Sequence, residues 1–578
     1  MIAAAVRKAR RLADDPVLRR WLLSQSWRKR HQQAFEAHRP PYLQGHLPLG
    51  HEAVPPATAA SFRTLDGGSP QRPVELPLPG ETIRLHPGEA GLLFDRPYSD
   101  IETQLAVYRF AWLPLLAGSI EEAWTEALWR EFEKRFSSPD DSWAWHPYTA
   151  AERAINLLDY SAQHGLPGSR NDTLALLNRH VSAIAARLEY FGDHNTSNHL
   201  SNNGRGLYRI GLDLGLPAAS EIGHRILLAE ADRIFRPSGV LREGSTHYHL
   251  LLARNYIDAF LAARSQGRPE TESFGEIARR ALAVLSQLVL PGGLPLVGDI
   301  SPDCPPAFLA CLLPEGDLHS GWAARLSSAD RWAVKALRDG APAVSVDQLA
   351  SDGWVRFSAG EWSALWHVAP TGWTPAAGHA HQDIGSFEAH WGAMPLFVDP
   401  GRGAYGETGE AGFFTSALAH NTLTVAGHDP YPPNKPYYDE EFRRSICGPR
   451  PHIQRRDEGV SIFFDGFRRV AGAGRVERSF RFRRDTLTII DTVEGTARLP
   501  VARRLYTPWP TALLEGQAVI STPSGPFQVE AESPLVVTAT KRWTAYGVAE
   551  PAFLIEATAD VPLPTCLTLQ VKRAGTER

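Results

Sequence analysis

The hydrophobic period changes once along this chain, and that change limits what it can fold into. Up to about residue 340 the apolar residues recur at helical spacing, in "AAERAINLLDYSAQHG", "DTLALLNRHVSAIAARLEYFG", "GRGLYRIGLDLGL", "EIGHRILLAEADRIF", "HLLLARNYIDAFLAARSQG" and "GEIARRALAVLSQLVLPGG". Several of these segments close on Gly, a common helix C-terminal residue. Paired helices with short links suggest a helical toroid or solenoid, and without a strict repeat the pattern does not choose between them. From about Trp354 the pattern alternates, in "WVRFSAGEWSALWHVA", "SFEAHWGAMPLFVDP", "RVERSFRFRRDTLTIIDTVEG" and "FQVEAESPLVVTATKRW". Such stretches, joined by Gly, Pro and Asp turns, predict an antiparallel β-sandwich. The segment "LRDGAPAVSVDQLASDG" is the expected connection. The chain therefore divides into residues 1–100 of mixed helix and loop, a helical domain over 101–345 and a sandwich over 346–578.

With 578 residues, more than one core is the default. A formal charge of -4 gives no argument for nucleic acid, although a local basic cleft is compatible with it. Cys304, Cys311, Cys447 and Cys566 are too scattered for a disulfide framework or a thiolate zinc site. The N-terminus, "MIAAAVRKARRLADDPVLRRWLL", reads as a basic amphipathic helix with no signal-peptide core. No window approaches a membrane span. The expected location is cytoplasmic, with the periplasm as an alternative that requires a leader. The oligomeric state is not legible.

The densest chemistry lies in "GHAHQDIGSFEAHWGAMPLFVDPGRGAYG". Strand alternation would place His379, His381 and Asp383 on one face. A polar outer face would read the same way. Asp399 and His420, the latter in "AHNTLTV", add further nitrogen and oxygen donors, and a His, Asp, His set suits zinc. "GRGAYG" matches a dinucleotide fingerprint only formally, because no βαβ unit surrounds it. Its glycines fit a sharp backbone turn.

Two more polar clusters fall in the helical half. "HNTSNHLSNNGRGLY" holds His194, Asn195, Asn198, His199, Asn202, Asn203 and Arg205 beside a helix start. Capping explains one or two asparagines, not the run. "GVLREGSTHYHLLLARNY" holds Arg242, Glu243, Ser245, His247, Tyr248 and His249. There Ser245 could serve only as a cap and Tyr248 only as a core aromatic.

In this order the three clusters resemble the heparinase II/III-like polysaccharide lyases, which include oligoalginate lyases. "SNHLSNNGRGL" looks like the family's Asn-His helix start and "LREGSTHYH" like its Glu-x-Ser-x-x-Tyr-His segment. "GHAHQDIGSFEAHWGAMPLFVDPG" and "HNTLTV" are similar to its strand-pair and His-Asn-Thr motifs, and "WHPYTAAERAINLL" resembles an upstream segment. The similarity runs from roughly Trp145 to Val425. It implies an (α/α) toroid followed by an antiparallel β-sandwich, with the cleft between them. It also implies one zinc, held by His381, Asp399 and His420, that supports the domain interface and the orientation of His379. Asn198, His199, Tyr248 and His379 would be catalytic. Arg153, Arg205, Arg242, Glu243 and Tyr405 would face the substrate. Some relatives carry Glu three residues after the Asn-His histidine, where this chain has Asn202.

The reaction so implied is β-elimination on an acidic oligo- or polysaccharide, glycosaminoglycan- or alginate-like. Removing the uronate C5 proton puts charge on the carboxylate, which Asn198 and His379 could stabilise. Tyr248, with an ordinary pKa of roughly 10, would need a cationic neighbour such as Arg205 or Arg242 to act as base. His199 is a base near neutral pH already. Glycoside hydrolysis would call for paired carboxylic residues, and no obvious pair occurs in the clusters. Two other readings remain open. One is a non-catalytic or biosynthetic carbohydrate-binding protein of a surface-polysaccharide pathway. The other is a zinc-dependent hydrolase.

Overall fold

Apolar stripes fold the first half of the chain into antiparallel helices that pack pairwise. The longer ones are α1 (Ile101–Arg109), α2 (Glu122–Arg135), α3 (Pro147–His164), α4 (Arg170–Ala186), α5 (Asn198–Leu214), α6 (Pro217–Ile234), α7 (Thr246–Ser265), α8 (Thr271–Leu288) and α9 (Ser328–Asp339). The coordinates are a computed structural model. It describes residues 37–43, 52–116, 118–368, 378–432 and 448–575, together with Arg19 and Leu23. Apart from those two residues, the expected N-terminal helix lies outside the described residues, and so does Cys447.

Helix α5 is the hub: it packs on α3, α4, α6 and α7. It starts at Ser197, whose side chain accepts from the His199 amide, and ends on Gly215 in the left-handed conformation. Its approach to α6 is backbone-close. A Cβ on Gly211 would fall 2.3 Å from Ser220 N, and one on Gly223 would fall 2.3 Å from Tyr208 N. Large residues would hold these helices apart. The pairs α3/α4, α5/α6 and α7/α8 build the (α/α) toroid around a core that includes Trp112, Trp124, Trp129 and Trp145.

One element was not expected. Val74–Leu78 (β1) and Glu81–Leu85 (β2) pair as a hairpin within the N-terminal region. Pro77 and Pro79 make this stretch read as loop. A two-stranded hairpin leaves each strand an open edge, where a proline's missing N–H does no harm.

The second half is antiparallel throughout. Trp354–Ala359 (β3), Trp362–His367 (β4), Phe387–Trp391 (β5) and Met394–Phe397 (β6) form one sheet in chain order. Leu423–Val425 (β7) joins three later strands in a second sheet, next to Arg498–Thr507. An eight-stranded sheet, with Ala473–Arg483 and Thr486–Gly495 near its middle, packs on the β3–β6 sheet. Trp366 meets Phe480 edge to face at 5.1 Å across that interface. The domain is thus a sandwich with a third sheet beside it. The expected connection contains a short helix, Val346–Ser351, just before β3. No helix among the described residues is long and apolar enough to cross a membrane.

The two domains meet along a narrow seam. Residues 378–381 run as irregular chain, not as the expected strand, between two loops of the toroid. The His379 N–H donates to Glu243 O at 2.8 Å, and His379 O accepts from Asp299 N at 2.8 Å. Gly244 and Gly298 flank this segment with φ of +71° and +78°. A Cβ on Gly298 would lie 2.5 Å from Gly244 O and 2.7 Å from His379 O, and one on Gly244 would lie 2.5 Å from the Ala380 Cβ. Two glycines therefore open the slot into which the histidine segment docks.

Candidate active site and metal centre at the domain seam

Two helix N-termini deliver the polar groups of the toroid. The Ser197 cap fixes the first turn of α5 and with it Asn198 and His199. Ser245 caps α7 by accepting from the Tyr248 N–H at 3.1 Å, and its own hydroxyl donates to Asp299 O at 2.7 Å. Between them Glu243, fully buried, accepts from the Asn198 backbone N–H at 2.8 Å and from Asn198 Nδ2 at 2.9 Å. A carboxylate only accepts, so Glu243 sets which end of the Asn198 amide is NH2. Nδ2 also faces His379 Nε2 at 3.1 Å.

The sandwich contributes the opposing wall. His379 lies flat on Tyr248, with 3.5 Å between ring centroids and planes 7° apart. The Tyr248 hydroxyl is 2.7 Å from that of Tyr405, which donates onward to Ile300 O at 3.2 Å. Tyr405 reaches this point because Gly401 and Gly403 let the chain pass directly under Trp543, whose ring a Gly403 Cβ would strike. Burial first, then the nearby Asp303 charge, pushes the Tyr248 phenol well above its ordinary pKa. It is a protonated donor through the neutral range.

His199 lies to one side, its side chain 40% exposed, with Nδ1 2.7 Å from Glu189 Oε1. His146 approaches the same oxygen at 3.5 Å, and the Tyr148 ring stands 4.7 Å from the His199 ring. Burial acts to lower the His199 pKa, but the charge and hydrogen bond of Glu189 outweigh it and leave the imidazole raised. Burial likewise acts to raise Glu189, and the His199 charge overrides it, bringing the carboxyl down to about 2. The geometry is that of an imidazolium with its counter-ion, open on one side.

Behind His379 lies a second set. His381, Asp399 and His420 are buried, and one ligand atom from each lies within 4.8 Å of the others. His420 Nδ1 is 2.9 Å from Asp399 Oδ2, and His381 Nε2 is 2.8 Å from Asp299 Oδ1. The remaining ring nitrogens, His381 Nδ1 and His420 Nε2, are buried without a hydrogen-bond partner. Unpartnered buried nitrogens are costly unless something binds them. Two such imidazoles beside a carboxylate fit a nitrogen- and oxygen-ligated cation such as zinc. The rest of the "HNT" motif is structural: Asn421 Nδ2 donates to Phe387 O and Val398 O, and its Oδ1 accepts from Tyr506 N.

Residues 342–564 match the family model described as Heparinase II/III-like, C-terminal. This part of the chain is a heparinase II/III-like domain. The chain as a whole is similar in fold to a heparinase III crystal structure, with 14% identity, a TM-score of 0.61, and coverage of 93% of this chain and 88% of that one. It is also similar to heparan sulfate lyase HepC from Pedobacter heparinus, with 14% identity, a TM-score of 0.50, and coverage of 95% and 88%. No curated protein matches. The toroid-plus-sandwich fold is shown by these likenesses and by the coordinates alike.

In this heparinase-like arrangement Asn198, His199, Tyr248, His379 and Tyr405 come together at the seam, and Glu243 lies directly behind them. The arginines do not join this group. Arg153 is fully buried inside the toroid, bonded to Tyr108 O at 3.0 Å and Ala144 O at 2.7 Å, with Phe132 and Trp145 against its guanidinium. Arg205 is buried between Glu152 and Asp258, each at 2.7 Å. Arg242 is turned to the carbonyls of Asp193 and Thr196. Neither Arg205 nor Arg242 thus serves as the cation expected beside Tyr248, because each is held by carboxylates or carbonyls of the helical layer. Asp383 also departs from expectation: it faces His367 at 3.7 Å rather than sharing a face with His379. Sequence reasoning missed Asp299, Asp303 and Glu189. Asp303 Oδ2 accepts from the Tyr148 hydroxyl at 2.5 Å while Arg109 holds its other oxygen at 2.7 Å. All three are acids in loops, where nothing in the local pattern sets them apart from solvated surface.

Proposed function

We propose that the protein is a lyase that cleaves uronic-acid-containing glycans by β-elimination, with glycosaminoglycan-like chains as the first substrate class and alginate-like chains as the second. One observation carries this reading: the phenol of Tyr248 and the imidazole of His379 lie ring to ring at the seam, where a second imidazole, His199, is held by Glu189. The imidazolium of His199 takes the uronate carboxylate together with the Asn198 N–H that otherwise faces His379 Nε2, which frees that nitrogen while the other N–H stays on Glu243, and both stabilise charge that grows as the C5 proton leaves. His379 Nε2 accepts that proton. The C5–H electron pair becomes the C4=C5 double bond, the C4–O4 bond breaks, and O4 takes the proton of the Tyr248 hydroxyl. The proton on His379 then returns to the Tyr248 phenolate beside it. His381, Asp399 and His420 would hold a zinc ion, whose fixed positive charge would tie the histidine segment to the sandwich. The burial of all three ligands gives less support to a hydrolase that works through metal-bound water.

Stacked acid and base act from one side of the sugar. This favours uronates whose C5 hydrogen and C4 oxygen lie on the same face, as in glucuronate and mannuronate, over their C5 epimers iduronate and guluronate. The test is a panel of polymers of all four, followed by the ultraviolet absorbance of the unsaturated product. Absorbance on none of them would overturn the lyase reading, and a preference for the C5 epimers would overturn the same-side geometry.

A further inference from the structure

One carboxylate of the toroid is shared by both histidines of "GHAHQD". Asp299 lies in the loop that follows α8 and is buried. Its Oδ2 is 3.1 Å from His379 Nδ1, and its Oδ1 is 2.8 Å from His381 Nε2. Arg402 Nη1 donates to Oδ1 at 3.0 Å, completing the set. Because a carboxylate offers only lone pairs, the ring nitrogen that faces it on each histidine carries the proton. In a neutral imidazole the other nitrogen is then bare. His379 is thereby fixed as the Nδ1–H tautomer and His381 as the Nε2–H tautomer.

Two observations independent of Asp299 agree. His379 Nε2 faces the Asn198 amide NH2 at 3.1 Å, nearer than Glu243 Oε2 at 3.4 Å, and that oxygen already accepts from the same amide, whose orientation it sets. His381 Nδ1 is buried with no hydrogen-bond partner. Both nitrogens that the tautomers leave bare are therefore the ones placed to accept, the first a proton and the second a cation.

We infer that Asp299 is a positioning residue that sets these opposite tautomers together, making His379 Nε2 the proton acceptor and His381 Nδ1 a metal ligand. The role given to His379 rests on the lyase reading above; the role given to His381 does not. The device depends on geometry across the seam. Two histidines two residues apart reach one acid, and each offers it a different nitrogen. The proton acceptor and the metal seat are then not independent, since one side chain from the other domain holds both.

The direct test is long-range proton–nitrogen correlation NMR on the full-length, metal-free protein labelled with 15N-histidine, assigned with His379→Gln and His381→Gln. Protonated Nδ1 at His379 and protonated Nε2 at His381 are expected; the reverse form at either would overturn the proposal. The second test is Asp299→Asn, which keeps the size and replaces one acceptor oxygen with a donor. Zinc affinity, read by competition with a chromogenic chelator, should fall roughly 10- to 100-fold, the usual consequence of losing an acid behind a histidine ligand. On an accepted glycan, kcat should fall by a similar factor with little change in KM. Unchanged zinc affinity in a folded Asp299→Asn protein would also overturn it. A wild-type protein that turns over no uronate would defeat the lyase reading alone, because the NMR and zinc measurements judge Asp299 without a substrate.

Discussion

Tyr248 and His379 belong to different domains, yet their rings lie 3.5 Å apart and nearly parallel. Neither ring is free to drift. Tyr248 is in the first turn of a capped helix and bonds Tyr405, while His379 is gripped through both ring nitrogens and both backbone polar groups. A pair held this firmly is suited to passing a proton along a fixed path.

Tyr248→Phe removes the hydroxyl and keeps the stacked ring. Turnover should fall by roughly 100-fold or more if the phenol carries the proton to O4. The melting temperature should barely move, since one lost hydrogen bond is worth only about 1 kcal/mol. Near-normal turnover on an accepted glycan would remove Tyr248 from the chemistry.

Purified protein should hold about one zinc per chain, as a three-residue site does. His381→Ala, Asp399→Ala and His420→Ala should each lose it, as measured by atomic emission after dialysis. Retention of zinc in all three variants would place the metal elsewhere.

The His199–Glu189 pair gives a signed pH dependence. The folded His199 pKa is raised from 6.5, so its share of stability is complete below that value and is lost as pH rises through the folded pKa. Glu189 is lowered from 4.5 to about 2, so its share is complete above about 4.5 and is lost as pH falls toward about 2. Activity that needs the imidazolium should fall on the alkaline side. In Glu189→Gln that limb should move to lower pH, because the charge that raised His199 is gone. The observation to make is kcat/KM against pH for both proteins, and an alkaline limb that stays in place would show that His199 does not act as a cation.

Arg205 provides a contrast between structure and substrate binding. Arg205→Met takes the cation from buried Glu152, while Asp258 keeps Arg209 on its other oxygen. Urea denaturation should show a loss of about 3–5 kcal/mol, the usual cost of breaking a buried pair from one side. KM of the folded fraction should be unchanged. A selective rise in KM with normal stability would put Arg205 on the glycan after all.

What the sequence determined by itself was the order of the two architectures and the short stretches from which a site could be built. Hydrophobic period is local, so "DTLALLNRHVSAIAARLEYFG" and "RVERSFRFRRDTLTIIDTVEG" announce helix and strand without reference to anything distant. Asn198, His199, Tyr248 and His379 were legible because each lies in a dense polar run next to a cap or turn. The hairpin at Val74–Leu85 was not legible, because its prolines break the strand signal. Nor were the partners that give each histidine its state, since Asp299 is 80 residues from His379 and Glu189 is 10 from His199. Only tertiary packing decided that Arg153 and Arg205 would be used up inside the toroid while Asp299 reached across the seam. The physical reason is that a side chain's type is written in the sequence, but its protonation state and its freedom depend on which charges and donors the fold sets against it.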